Sequence, residues 1–83
     1  MRRITRPILI DTVDKVKDFV KQTNKFLREV DVSSSGKYVV DGRSLLGILS
    51  LDTGKPVVVN YSEEDEELAE IFISKYFVRG VNV

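Results

Sequence analysis

Few side chains in this 83-residue sequence can do covalent or acid–base chemistry. There is no histidine and no cysteine. A phosphorylated imidazole, an imidazole base, a thiolate nucleophile and a thiolate metal site are therefore excluded. Asp11, Asp14 and Asp18 have a spacing that would share one helical face, but Lys15 and Lys17 sit among them. Such a mixture reads as a solvated, salt-bridged surface. Glu63-Glu64-Asp65-Glu66-Glu67 lacks the glycine and alternating ligands of a calcium loop. No glycine-rich phosphate loop is present and no nucleophile stands with a general base, so neither an enzyme nor a metal or cofactor site is expected. Ser44 is the most informative hydroxyl. It follows Arg43 and precedes the apolar run Leu45, Leu46, Gly47, Ile48, Leu49. A serine there can simply cap a short helix. It can also accept a phosphate that meets free backbone N–H groups, with Arg43 adjacent. Tyr38, Tyr61 and Tyr76 are expected to pack with their hydroxyls toward water.

The elements that must position these residues follow from periodicity. Ile4, Ile8, Leu9 and Ile10 mark a strand over 4–10, with Pro7 suited to an edge. Val13, Val16, Phe19, Val20, Thr23, Phe26 and Leu27 recur at helical spacing, predicting an amphipathic helix over 12–27 capped by Asp11 or Thr12. Residues 29–34 alternate and predict a half-buried strand. Ser34-Ser35-Gly36-Lys37 then turns the chain into Tyr38-Val39-Val40, giving a hairpin. Asp41-Gly42 breaks the strand before a one- to two-turn helix over 45–51. Val57-Val58-Val59-Asn60-Tyr61 is nearly continuous in apolar character and so is expected to be central in a sheet. Ser62 with Asp65 forms a variant capping box for a last helix that runs to Tyr76 and ends at Arg79-Gly80. The order β-α-β-β-α-β-α predicts an α+β open-faced β-sandwich, a four-stranded antiparallel sheet with helices on one face.

Composition sets the class. With 42% hydrophobic and 31% charged residues, the chain is expected to fold as one domain over 1–83. Thirteen basic residues balance thirteen acidic ones, which argues against a nucleic-acid partner. The charges are unevenly placed. Residues 1–43 hold ten basic and six acidic side chains, and residues 44–83 hold three and seven. The two halves are expected to attract each other or to present opposite faces. No stretch approaches the length of a membrane span and no secretory signal is evident, so a cytoplasmic location without a membrane partner is expected.

The middle of the chain resembles HPr, the phosphocarrier family of the bacterial sugar phosphotransferase system. Phe19-Val20-Lys21-Gln22-Thr23-Asn24-Lys25-Phe26 resembles the second half of that family's first helix, and Ser35-Gly36-Lys37 its hairpin turn. Val40-Asp41-Gly42-Arg43-Ser44-Leu45-Leu46-Gly47-Ile48-Leu49-Ser50-Leu51 resembles its regulatory-serine segment. Tyr61 to Glu67 resembles the acidic entry to its last helix. The likeness covers roughly residues 8–77.

The resemblance implies a bacterial HPr-like domain, and it also exposes a departure. Counting back from Phe19, Thr12 falls at the place of the family's phosphoacceptor histidine, Asp14 at its arginine and Lys15 at its proline. An aspartate there would repel a phosphoryl group. Thr5-Arg6-Pro7 looks like part of the same motif but lies about seven residues too early, and an edge strand explains it. By resemblance, Ser44 matches a serine phosphorylated by a regulatory kinase. Arg43, Leu45, Leu46 and Leu49 would dock a protein partner, such as a kinase or regulator. The expected function is a regulatory docking module that has lost histidine phosphotransfer. One alternative is a phosphotransferase component in sugar transport, carrying phosphate on Thr12 or another hydroxyl. Another is a structural homodimer that pairs through the apolar segment or a sheet edge.

Overall fold

The computed structural model describes residues 2–34 and 37–79. The expected turn at Ser35-Gly36, the stop at Gly80 and the tail from Val81 lie outside the described residues. The elements are β1 (Arg3–Ile8), α1 (Val13–Thr23), β2 (Val30–Ser34), β3 (Tyr38–Asp41), α2 (Leu45–Leu49), β4 (Val57–Ser62) and α3 (Glu66–Phe72). One 3-10 turn (Glu63–Asp65) precedes α3 and another (Ser74–Tyr76) follows it. The four strands form one antiparallel sheet in the order β1-β4-β2-β3. The architecture is the expected open-faced sandwich, and β4 is central.

Alternation along the strands explains the two faces. Ile8, Val30, Val32, Val57, Val59 and Tyr61 are buried on the helix side. Val16 and Phe19 of α1, Ile48 of α2 and Ala69 of α3 close over them. The opposite face is polar where β1, β4 and β2 meet. The Arg3 guanidinium donates to Asn60 Oδ1 (2.6 Å) and to Asp31 Oδ2 (3.3 Å), and Asn60 Nδ2 donates to Thr5 Oγ1 (3.2 Å).

Pro7 lies in β1, at one margin of the sheet. The chain beyond α3 returns along that margin: Val78 N–H donates to Pro7 O (3.1 Å) and Leu9 N–H to Tyr76 O (2.9 Å). Arg6 is anchored toward α3, 3.1 Å from Glu66 and 3.7 Å from Glu70. Together with Arg2–Glu63 and Arg28–Glu64, these pairs join the basic first half to the acidic run of the second. Each is solvent-exposed enough to be worth less than about 1 kcal/mol, so they orient the halves more than they stabilise them.

Three expectations need correction. The first helix ends at Thr23, with Asn24 as its C-cap, and does not reach Leu27. Phe26 is still buried, but Leu27 is 76% exposed, since the chain has already left the helical path. The last helix is not continuous to Tyr76, because the chain tightens into a 3-10 turn at Ser74. The tyrosine hydroxyls also do not all face water. Tyr61 is buried and its hydroxyl donates to Glu66 Oε2 (2.9 Å). Burial, rather than that hydrogen bond, is the main reason its pKa is pushed up to about 12. Tyr76 donates to Asp18 Oδ2 across the gap between α1 and the second 3-10 turn.

Asp18 therefore has a structural task that the surface reading of the aspartates did not give it. Tyr76, then Gln22 and Lys75, hydrogen-bond its carboxylate and hold it down at about 2. A group whose acidity is raised by folding stabilises the folded state above its ordinary value of 3.8 and loses that contribution as pH falls through about 2. The side chain is about one-third exposed. Asp18→Asn should therefore lower neutral-pH stability by about 1 kcal/mol after solvent screening is allowed for. Urea melts of both proteins between neutral and acidic pH should converge as the pH falls toward 2.

Candidate functional site

The loop entering α2 is built from an unusually complete set of backbone bonds. Gly42 N–H donates to Val30 O (2.7 Å), and the buried Thr23 hydroxyl donates to Gly42 O (2.7 Å). A Cβ on Gly42 would lie 2.9 Å from Val30 O, so only glycine fits this approach of two backbones. Asp41 Oδ1 accepts from Arg43 N–H (2.9 Å), and Asp41 O accepts from Ser44 N–H (3.0 Å). Ser44 then caps α2: its Oγ accepts from Gly47 N–H (3.0 Å). Gly47 leaves room for this cap, since a Cβ there would sit 3.0 Å from the same Oγ.

Arg43 is placed otherwise than its position beside Ser44 implied. Its Nη2 donates to Phe26 O (2.7 Å) and to Arg28 O (2.6 Å). The side chain reaches back over the α1–β2 connection, so its recorded bonds belong to the fold and not to the surface in front of Ser44. Asp65 holds the same connection from its other side. It is fully buried, and its two carboxylate oxygens accept from Leu27 N–H and Arg28 N–H, both at 2.9 Å. Sequence reasoning gave Asp65 only a role in a capping box with Ser62. No local pattern links residue 65 to residues 27 and 28.

The apolar residues of α2 divide by depth. Ile48 is fully buried and Leu45 packs partly against the core. Leu46 is 80% exposed and Leu49 39% exposed. Five residues make little more than one turn, so a helix this short cannot turn four large side chains inward.

At the start of α1, Thr12 is the N-cap, and its Oγ1 accepts from Lys15 N–H (3.1 Å). Thr12 and Asp14 are both exposed, and Asp14 lies in the first turn. Lys15 pairs with Asp11 at 3.0 Å, which keeps the acidity of Asp11 raised. The fold thus leaves the Thr12 hydroxyl and the carboxylates of Asp11 and Asp14 at this helix start. Among the described residues, no three or more acidic side chains gather as a metal site. No helix among them is long and apolar enough to cross a membrane.

No family model matches the sequence, and no curated protein matches it. Solved structures do. The structure of HPr-C-His from Thermoanaerobacter tengcongensis has a TM-score of 0.69 and 24% identity, over 92% of this chain and 91% of that one. The phosphocarrier protein HPr from Bacillus anthracis str. Ames has a TM-score of 0.70 and 20% identity, over 92% of this chain and 99% of its own. The fold is that of HPr. At these identities the likeness is one of fold, and it spans nearly the whole domain.

Two substitutions test the construction of the site. Asp65→Asn keeps the shape but turns an amide donor toward one of two backbone donors. It should cost about 2 kcal/mol, read as a lower urea midpoint with an unchanged slope. Ser44→Ala removes the α2 cap and should cost about 1 kcal/mol in the same assay.

Proposed function

We propose that this chain is an HPr-fold docking module that does not carry phosphate on an imidazole, and that α2 is its partner-facing element. The observation that carries the reading is Leu46, 80% exposed on a helix whose inner side is anchored in the core by Ile48. An apolar side chain held that far into water by a rigid cap is a suitable anchor for a protein partner. Leu49 is on the same short helix with partial exposure, and Leu45 packs partly against the core. The likeness of the fold to solved phosphocarriers supports a place within the phosphotransferase family. The sequence, without histidine and with Thr12 and Asp14 at the aligned positions, supports loss of the carrier step.

In this reading Ser44 is the regulatory hydroxyl. A kinase would transfer the γ-phosphoryl of ATP to Ser44 Oγ, releasing ADP, with the hydroxyl proton taken by a base of the kinase. The product would place a charge of about −2 beside Leu46. That charge is costly to desolvate, so phosphorylation would weaken an apolar contact there. The Arg43 contacts to Phe26 O and Arg28 O make the loop rigid at this point.

Incubation with phosphoenolpyruvate and enzyme I should leave the chain without acid-labile phosphate. Incubation with an HPr-directed kinase and ATP should give phosphoserine at position 44, absent in Ser44→Ala. Acid-labile label on the wild type would overturn the loss of the carrier step. A folded wild type that the kinase leaves unlabelled would remove the switch and leave a docking surface alone. Phosphoryl transfer abolished by Thr12→Ala would favour the transport reading instead.

A further inference from the structure

The two margins of the sheet are treated differently. At β1, Pro7 has no N–H to offer, and Tyr76, Phe77 and Val78 run alongside it. At β3, no described strand pairs with the outer margin. Two of its residues are apolar and open to water: Tyr38 is 71% exposed and Val39 62% exposed. An unprotected margin of this kind is a template for another strand.

The register says which backbone groups are on offer. Gly42 N–H donates to Val30 O, so that pair is a hydrogen-bonded one. Hydrogen-bonded and non-bonded pairs alternate along an antiparallel ladder. Val40 opposite Val32 and Tyr38 opposite Ser34 therefore bond to β2, whereas Val39 opposite Ser33 turns its N–H and C=O to the outer margin. Val39 can then exchange both bonds with one residue of an incoming strand.

We propose that the incoming strand is β3 of a second copy, paired antiparallel about a two-fold axis at Val39, so that two sheets join into one of eight strands. The flanking residues suit this register. Val39 meets Val39 of the second copy on the open face. Tyr38 falls opposite Val40, an aromatic against a β-branched side chain. Lys37 falls opposite Asp41, and this occurs twice because of the symmetry. Neither Lys37 nor Asp41 makes an ion pair with a described residue. A lone lysine on an edge strand normally discourages pairing. Here its complement lies two residues beyond Val39, so self-pairing in this register satisfies the charge where a shifted register does not. The register uses residues 37–41 and neither Leu46 nor Leu49, and the proposal stands whether or not Ser44 is modified.

Four residues of strand make a small contact, so half-association is expected near ~100 µM. Sedimentation equilibrium of the wild type from about 10 µM to about 1 mM should show a monomer–dimer equilibrium across this range. Lys37→Asp alone and Asp41→Lys alone should each stay monomeric, since like charges then face each other. Mixed in equal amounts they should associate again, because each cross-pair is once more opposite in sign. Val39→Pro removes the outward N–H at the axis while leaving the bonds to β2, and should also be monomeric. Leu46→Asp should associate like the wild type. A wild type that stays monomeric throughout overturns the proposal, as does a mixture that fails to restore association. Asp41→Lys loses a turn contact to Arg43 N–H; should it fail to fold by circular dichroism, Lys37→Asp and Val39→Pro decide. Dimers persisting in either of those, or lost in Leu46→Asp, place the contact elsewhere and overturn it.

Discussion

The connection between α1 and β2 is gripped from both sides by charged groups that arrive from elsewhere in the chain. Asp65 accepts the N–H groups of Leu27 and Arg28, and Arg43 donates to the carbonyls of Phe26 and Arg28. Exposed backbone of this kind would otherwise be left to water and could move. Held in this way, it fixes where α1 stops and where β2 begins. It also fixes Phe26, which packs edge-on against Tyr61 with ring centroids 5.9 Å apart. Because Arg43 is next to Ser44, the same grip sets the start of α2. The exposed Leu46 is therefore carried on a segment tied to the first helix, the second strand and the acidic turn before α3.

This arrangement separates two roles that sequence neighbours seemed to share. Arg43 and Ser44 stand side by side, yet one side chain turns back to the α1–β2 connection and the other caps α2. Asp41 and Gly42 supply the turn that makes the divergence possible. Gly42 is required because Val30 O and the Thr23 hydroxyl both close on its backbone. What remains toward solvent at α2 is apolar and hydroxylic rather than basic.

The sheet presents a second contrast. One face is buried under three helices, and the other carries a polar ladder through Thr5, Asn60, Arg3 and Asp31. That ladder satisfies β1, β4 and β2 and does not extend to β3. The returning chain after α3 and Pro7 likewise protect β1 alone.

Periodicity in the sequence determined the element order, the central place of β4, the edge role of Pro7 and the partial exposure of the α2 leucines. These depend on spacing within one segment, which a linear chain displays directly. The lack of histidine was equally legible and bounded the chemistry. Helix ends were not, because Phe26 and Leu27 continue the apolar spacing after the chain has turned at Asn24. The tasks of Asp18, Arg43, Asp65 and the tyrosine hydroxyls were also hidden. For Asp18 with Tyr76, Arg43 and Asp65 these partners lie 15 to 58 residues away, and for Tyr61 the partner is Glu66 on the next helix. Only packing brings such groups within hydrogen-bond range, and a carboxylate reads the same in the sequence whether water or a buried backbone N–H donates to it. The fold class follows from local pattern, whereas the geometry of the α2 surface is decided by contacts between distant segments.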